Sequence, residues 1–211
     1  MKKKVVIVDY GLGNIVSAQQ SFLKVVKENL LEIDVLISNS PKEINTSSYI
    51  VLPGQGAFKS CMDRLNSIAG LKDSLFKRVI VNKTPFLGIC VGMQLLADRS
   101  YENGEHDGLG WIAGFIKKLP KKNLKLPHMG WNNVYIKNNG SKMHFPNENK
   151  DFYFVHSYYF ECLDKENVIG LTNYGLDFTS IVAKQNIYGV QFHPEKSSLQ
   201  GLNLIKNFLS L

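Results

Sequence analysis

The chain has 211 residues, 44% hydrophobic and 20% charged, the proportions of an ordinary globular protein with material for one sizeable core. No apolar run approaches the ~20 residues that a membrane span needs. The three cysteines, Cys61, Cys90 and Cys162, show no C-x-x-C or metal-type spacing, which points to a reducing cytoplasm with neither metal nor cofactor. The net charge is +7, with lysine far outnumbering arginine. Basic balance can mean nucleic acid, but the lysines are scattered and no familiar nucleic-acid motif occurs. Their one cluster, Lys117, Lys118, Lys121, Lys122 and Lys125, reads as a solvated or partner-facing loop.

Val5 to Val8 is a buried-strand candidate, and this N-terminal stretch is too short in apolar length for a signal peptide. It ends in Asp9-Tyr10-Gly11-Leu12-Gly13-Asn14, where the third glycine of a dinucleotide fingerprint is absent. A helix is expected from about Asn14 to Asn29, a strand over Ile33–Ile37, a loop beginning at Asn39-Ser40-Pro41, and a strand over Tyr49–Leu52. That strand runs into Pro53-Gly54-Gln55-Gly56, whose glycines let backbone approach a ligand or let a simple turn form. Helical sequence follows to Leu65 and again over Leu71–Val81. The order so far is that of a parallel α/β sheet, which takes ligands at strand C-termini.

Residues Pro85 to Leu96 read P-F-L-G-I-C-V-G-M-Q-L-L. A short apolar strand meets a helix expected over Val91–Ala97, and Gly88 and Gly92 stand two residues either side of Cys90. That is the spacing of a nucleophile elbow, in which a sharp turn strains the central residue and leaves no room for side chains beside it. A thiol at a helix N-terminus is biased toward thiolate, and the Val91 N–H is a ready oxyanion donor. The plain alternative is a core cysteine beside two turn glycines. Beyond the elbow, Asp98–Gly110 is polar, and strands are expected over Trp111–Ile116, Trp131–Ile136, Phe152–Phe160, Val168–Thr172, Phe178–Ala183 and Ile187–Phe192. A last helix spans about Leu199–Leu209. No linker divides the chain, so residues 1–211 read as one domain.

The last strand delivers His193-Pro194-Glu195. Proline keeps His193 extended, so His193 and Glu195 project to the same side. A histidine base oriented by a carboxylate is what a thiol nucleophile requires, and the other four histidines lack a carboxylate at this spacing. Alone, H-P-E could be a surface turn; beside G-x-C-x-G it reads as the other half of a catalytic set.

G-I-C-V-G-M-Q together with G-V-Q-F-H-P-E resembles the class I (triad) glutamine amidotransferase family. More narrowly, D-Y-G-L-G-N, L-P-G-Q-G-A-F, L-P-H-M-G-W-N-N, Y-F-V-H-S-Y and H-P-E-K-S resemble the glutaminase subunits of imidazole glycerol phosphate synthases, over Asp9 to Ser197. The resemblance implies a mostly parallel or mixed sheet flanked by helices. It implies hydrolysis of L-glutamine to glutamate and ammonia by Cys90, His193 and Glu195. The oxyanion donors would be the N–H groups of Val91 and, in the Pro53-Gly54-Gln55-Gly56 segment, Gln55. The family more often has valine at position 55, but only the backbone acts there. Gly56, Gln94, Glu102, Ser157 and Tyr158 match positions that hold glutamine.

The resemblance also implies a heterodimer with a (β/α)₈-barrel cyclase, which receives the ammonia and forms imidazole glycerol phosphate and AICAR. Pro127, His128, Met129, Gly130, Trp131, Asn132, Tyr153, Lys196 and Asn14 match interface positions. Three rival readings stay open on sequence. One is a paralogous glutaminase serving another synthase, such as one aminating a surface sugar. Another is a stand-alone Cys-His-Glu hydrolase, and the third a basic nucleic-acid-binding module.

Overall fold

Apolar runs of four to six residues build the centre of the molecule. The computed structural model describes residues 2–121, 124–137, 141–145 and 150–211. In chain order the first elements are β1 (Lys3–Val8), α1 (Ile15–Glu28), β2 (Ile33–Ser38), α2 (Pro41–Asn45), β3 (Tyr49–Gly54), α3 (Phe58–Ser67), α4 (Leu71–Phe76) and β4 (Phe86–Cys90). Every residue of β3 and β4 is buried, whereas β2 alternates buried and exposed at its start. Parallel strands covered on both faces need continuous apolar sequence, and an edge strand does not. The order β2-β1-β3-β4 is parallel throughout.

The remaining elements are α5 (Val91–Gln94), β5 (Arg99–Ser100), β6 (His106–Asp107), β7 (Gly114–Lys118), β8 (His128–Ile136), β9 (Lys150–His156), β10 (Tyr158–Cys162), β11 (Val168–Asn173), β12 (Asp177–Lys184), β13 (Ile187–Val190) and α6 (Ser198–Leu209). β13 joins β4 in parallel, and the antiparallel pairs β13–β12, β12–β10 and β10–β7 make the sheet mixed. The sheet branches at Thr179, which has Phe160 of β10 and Leu171 of β11 as partners. α1 buries Ala18, Phe22 and Val25, a single helical stripe. Its Phe22 meets Phe208 of α6 edge to face, and Phe208 also meets Tyr49 and Tyr188. Among the described residues, no helix is long and apolar enough to cross a membrane.

The structure corrects the expected boundaries at five places. A short helix, α2, stands where a loop was expected, begun by extended Ser40 with Pro41 in the first turn. The Leu71–Val81 helix passes into a π-helical turn at Lys77. The elbow helix ends at Gln94 rather than Ala97: the N–H groups of Leu96 and Ala97 turn to the Met93 and Gln94 carbonyls, three residues back, and the carbonyls of Leu95, Leu96 and Ala97 accept from the N–H groups of Leu109, Gly110, Trp111 and Ile112. Those bonds also keep Trp111 and Ile112 out of the strand expected there, so β7 starts only at Gly114. Finally, the strand expected over Phe152–Phe160 breaks at Ser157. β9 pairs with β8, and β10 pairs with β7.

Candidate active site

Cys90 sits at the end of β4 with φ 55° and ψ −113°, a conformation that costs a non-glycine residue free energy and is held only by its surroundings. The two flanking glycines explain how. A Cβ at Gly88 would lie 2.5 Å from the Gly92 carbonyl oxygen, and one at Gly92 would lie 1.8 Å from that of Leu52. Gly54, beside Cys90 in the β3–β4 ladder, is equally confined: its Cβ would stand 2.6 Å from the Gly92 nitrogen. The helix behind Cys90 is a single turn, so its dipole is small. Positive charge for a thiolate must come from a neighbour.

That neighbour is His193, which follows β13 in the strand register next to β4. Its Nδ1 lies 2.8 Å from Glu195 Oε1, with both side chains almost fully buried. A Cβ at Gly201 would stand 1.8 Å from the Pro194 carbonyl oxygen, so α6 presses directly on this turn. Burial opposes the charged imidazole, but Cys90 and Glu195 outweigh it and raise the His193 pKa to about 10. An unfolded histidine releases its proton near 6.5. This group's stabilisation is therefore whole below that pH and is lost as pH rises through about 10. In Glu195→Gln, the His193 ring is expected to titrate at lower pH than in the parent chain, read from its proton NMR shift. An unchanged titration would mean that the carboxylate does not hold the proton there.

A cavity of about 280 Å³ opens beside Cys90, lined by Gln55, Gly56, Val91, Gln94, Glu102, Pro127, Val155, His156, Ser157, Tyr158 and His193. All five residues expected to hold glutamine reach it, although they come from the Gly54–Phe58 loop, α5, the segment after β5 and the β9–β10 break. Glu102 has a second task, since its Oε2 accepts from the Phe58 N–H at 2.7 Å at the start of α3. Gln94 Nε2 donates to the Tyr158 carbonyl at 2.9 Å and to Gln191 Oε1 at 3.0 Å.

The model of the family described as "Glutamine amidotransferase class-I" matches residues 6–211. The chain belongs to that family. The amidotransferase is 44% identical over 209 residues to "Imidazole glycerol phosphate synthase subunit HisH" of Pelagibacter ubique, covering 98% of this chain and 99% of the relative. It is 46% identical over 208 residues to "Imidazole glycerol phosphate synthase subunit HisH 2" of Methanococcus maripaludis, covering 97% and 98%. Among solved structures, one described as a glutamine amidotransferase superposes with a TM-score of 0.72 at 17% identity, covering 97% of each chain. A glutamine amidotransferase from Thermotoga maritima superposes at 0.62 and 16% identity, covering 100% of this chain and 82% of its own. At such identities the superpositions show the shared α/β fold.

In this amidotransferase the other motif residues fall into two groups. Met129 and Trp131 of β8 are 62% and 54% exposed, with Tyr153 edge-on to Trp131 and Lys196 Nζ 5.8 Å from the Tyr153 ring centre. The backbone ties this patch to the site, because the His193 N–H donates to the Tyr153 carbonyl and the Tyr153 N–H to Ser197 Oγ. Pro127 is exposed at the cavity rim, and Asn14, Gly130 and Asn132 are half-buried. His128 is 3% exposed, its ring turned inward and presented to no surface. Of the lysine cluster, Lys117 pairs with Glu161 at 2.5 Å and ends β7 with Lys118; Lys122 lies outside the described residues.

Three contributors escaped the sequence reading. Gln191 Nε2 points at Cys90 Sγ from 3.7 Å, and its position two residues before His193 on a strand was the available signal. Tyr10 donates to the Pro53 carbonyl at 2.8 Å, with burial pushing its hydroxyl pKa up, so the turn after β1 braces the Pro53–Gly56 segment. His156 is the third.

Proposed function

We propose that this amidotransferase is the glutaminase subunit of an imidazole glycerol phosphate synthase, acting through Cys90, His193 and Glu195. The observation that carries the reading is a strained, buried Cys90 beside a 2.8 Å His193–Glu195 pair at the wall of a cavity sized for a free amino acid. With the proton on His193, the thiolate attacks the side-chain amide carbon of glutamine. The N–H groups of Val91 and Gln55 stabilise the oxyanion. Its collapse breaks the C–N bond as His193 gives its proton to the departing ammonia, leaving a γ-glutamyl thioester. His193 then takes a proton from water, whose oxygen attacks the thioester. Glutamate leaves and the resting pair is restored.

Free ammonia in water is protonated and lost as a nucleophile, so the product must be delivered under cover. In this proposal a (β/α)₈-barrel cyclase docks over Pro127, Met129, Gly130, Trp131, Asn132, Tyr153, Lys196 and Asn14, and takes the ammonia to form imidazole glycerol phosphate and AICAR. His128 would support that surface from beneath. The pair is a cytoplasmic heterodimer, and the 211 residues act as one domain without metal or cofactor. The patch of exposed Met129 and Trp131 beside half-buried Tyr153 supports the docking role, as aromatic and methionine side chains are enriched in interface cores.

The test is ammonia release from glutamine by the chain alone, then with an imidazole glycerol phosphate synthase cyclase and its substrate. Slow hydrolysis alone and stimulation of at least about tenfold by the pair are expected. Full turnover by the free chain would sink the partner-dependent mechanism. Slow turnover unchanged by the cyclase would move the reading to a different synthase.

A further inference from the structure

Two buried histidines that the mechanism above does not use stand in one continuous line of polar contacts. Asn132 Nδ2 is 3.1 Å from His128 Nε2, His128 Nδ1 is 2.9 Å from His156 Nε2, and His156 Nδ1 is 2.9 Å from the Tyr158 carbonyl. That carbonyl also accepts from Gln94, which meets Gln191, which meets Cys90 Sγ. The line runs from β8, whose outward residues Met129 and Trp131 are exposed, to the nucleophile.

Each proton in it is dictated. A carbonyl can only accept, so His156 carries its proton on Nδ1 and offers a lone pair at Nε2. His128 must therefore donate from Nδ1 and accept at Nε2, where the Asn132 amide nitrogen, which can only donate, meets it. A further proton on either ring would set two N–H groups against each other. Aromatic rings enclose the pair: His128 stacks on Tyr174 at 4.1 Å and on Phe154 at 4.9 Å, and Phe178 lies 4.9 Å from His156. Burial lowers the pKa of His128 to about 4 and of His156 to about 3, so both rings are neutral near pH 7.

We propose that His128 and His156 are positioning residues, a tautomer-locked pair that fixes the Tyr158 carbonyl and through it Gln94 in the glutamine pocket, from a strand that carries the docking surface. The proposal rests on the glutaminase reading. Only one tautomer of each ring completes the line, so loss of the His128 donor leaves a buried lone pair on His156 and frees that ring to turn. The Tyr158 carbonyl then loses one of its two donors, and Gln94 loses its fixed orientation.

The experiment uses the chain in complex with the cyclase. His128→Phe keeps the stacked ring but removes the donor, whereas His128→Asn keeps a donor near the Nδ1 position. The KM for glutamine is expected to rise about fivefold or more in His128→Phe, and His128→Asn is expected to restore much of the loss. Imidazole ¹⁵N shifts of the parent chain at pH 7.5 are expected to report Nδ1–H on both rings. A parent-like KM in His128→Phe, an equal defect in His128→Asn, or an Nε2–H tautomer on either ring would overturn the proposal. Absence of glutamine hydrolysis in the parent complex would instead remove the glutaminase reading, and the ¹⁵N spectrum would still decide the tautomers.

Discussion

Cys90→Ala in the complex is expected to reduce glutamine-dependent synthesis by about 10³-fold or more while leaving ammonia-dependent synthesis at the parent level. In the proposed complex, glutamine hydrolysis and ring formation lie on different chains. Removing the sulfur removes the only atom that can form the thioester, and neither His193 nor Glu195 can substitute for it. The cyclase needs only ammonia, which high external concentrations supply. Alanine at this position keeps the elbow, since the strain at φ 55° is set by β4, α5 and their flanking glycines rather than by the thiol. The measurement is steady-state product formation with glutamine and, separately, with an ammonium salt at alkaline pH. Loss of both would assign Cys90 a structural part in the cyclase reaction, contrary to a purely ammonia-supplying role.

Gly92→Ala is expected to be among the most damaging single substitutions in the chain. Its Cβ would stand 1.8 Å from the Leu52 carbonyl oxygen, deep inside the repulsive wall, and backbone has no rotamer with which to retreat. Either β3 separates from the elbow or α5 is displaced, and both expose a buried ladder. A cost above ~4 kcal/mol follows, in the range reserved for outright core disruption. Urea denaturation of the free chain checks it. Gly130→Ala is the control: its Cβ meets nothing within 4 Å, so only the strain of its φ of 135° remains, about 1 kcal/mol. Similar midpoints for the two variants would mean that the elbow can open without cost. The same contact predicts that any folded Gly92→Ala protein hydrolyses glutamine poorly, because Cys90 and the Val91 N–H move with α5.

The sequence by itself determined the parts whose physics is local. The glycine spacing about Cys90 announced a strained turn, the H-P-E run announced a histidine with its own carboxylate two residues on, and unbroken apolar runs announced strands covered on both faces. Those features need no knowledge of the rest of the chain, which is why they recur as the turn at Cys90, the His193–Glu195 pair and the buried cores of β3 and β4, although their boundaries shifted. Tertiary structure decided what depends on distant partners. After Gln94 the helix tightens into bonds three residues back and the carbonyls of Leu95, Leu96 and Ala97 go to residues 109–112, partners that propensity cannot foresee. The Phe152–Phe160 run is all strand-forming, yet it splits at Ser157 because β9 and β10 answer to different neighbours. That split delivers Ser157 and Tyr158 to the cavity. Gln191 and His156 gained their places only when β4, β9 and β13 were brought together, and His128, placed by its motif at an interface, turned inward against Tyr174 and Phe154. Hydrogen-bond partners and burial are properties of the packed chain, because each depends on two segments at once.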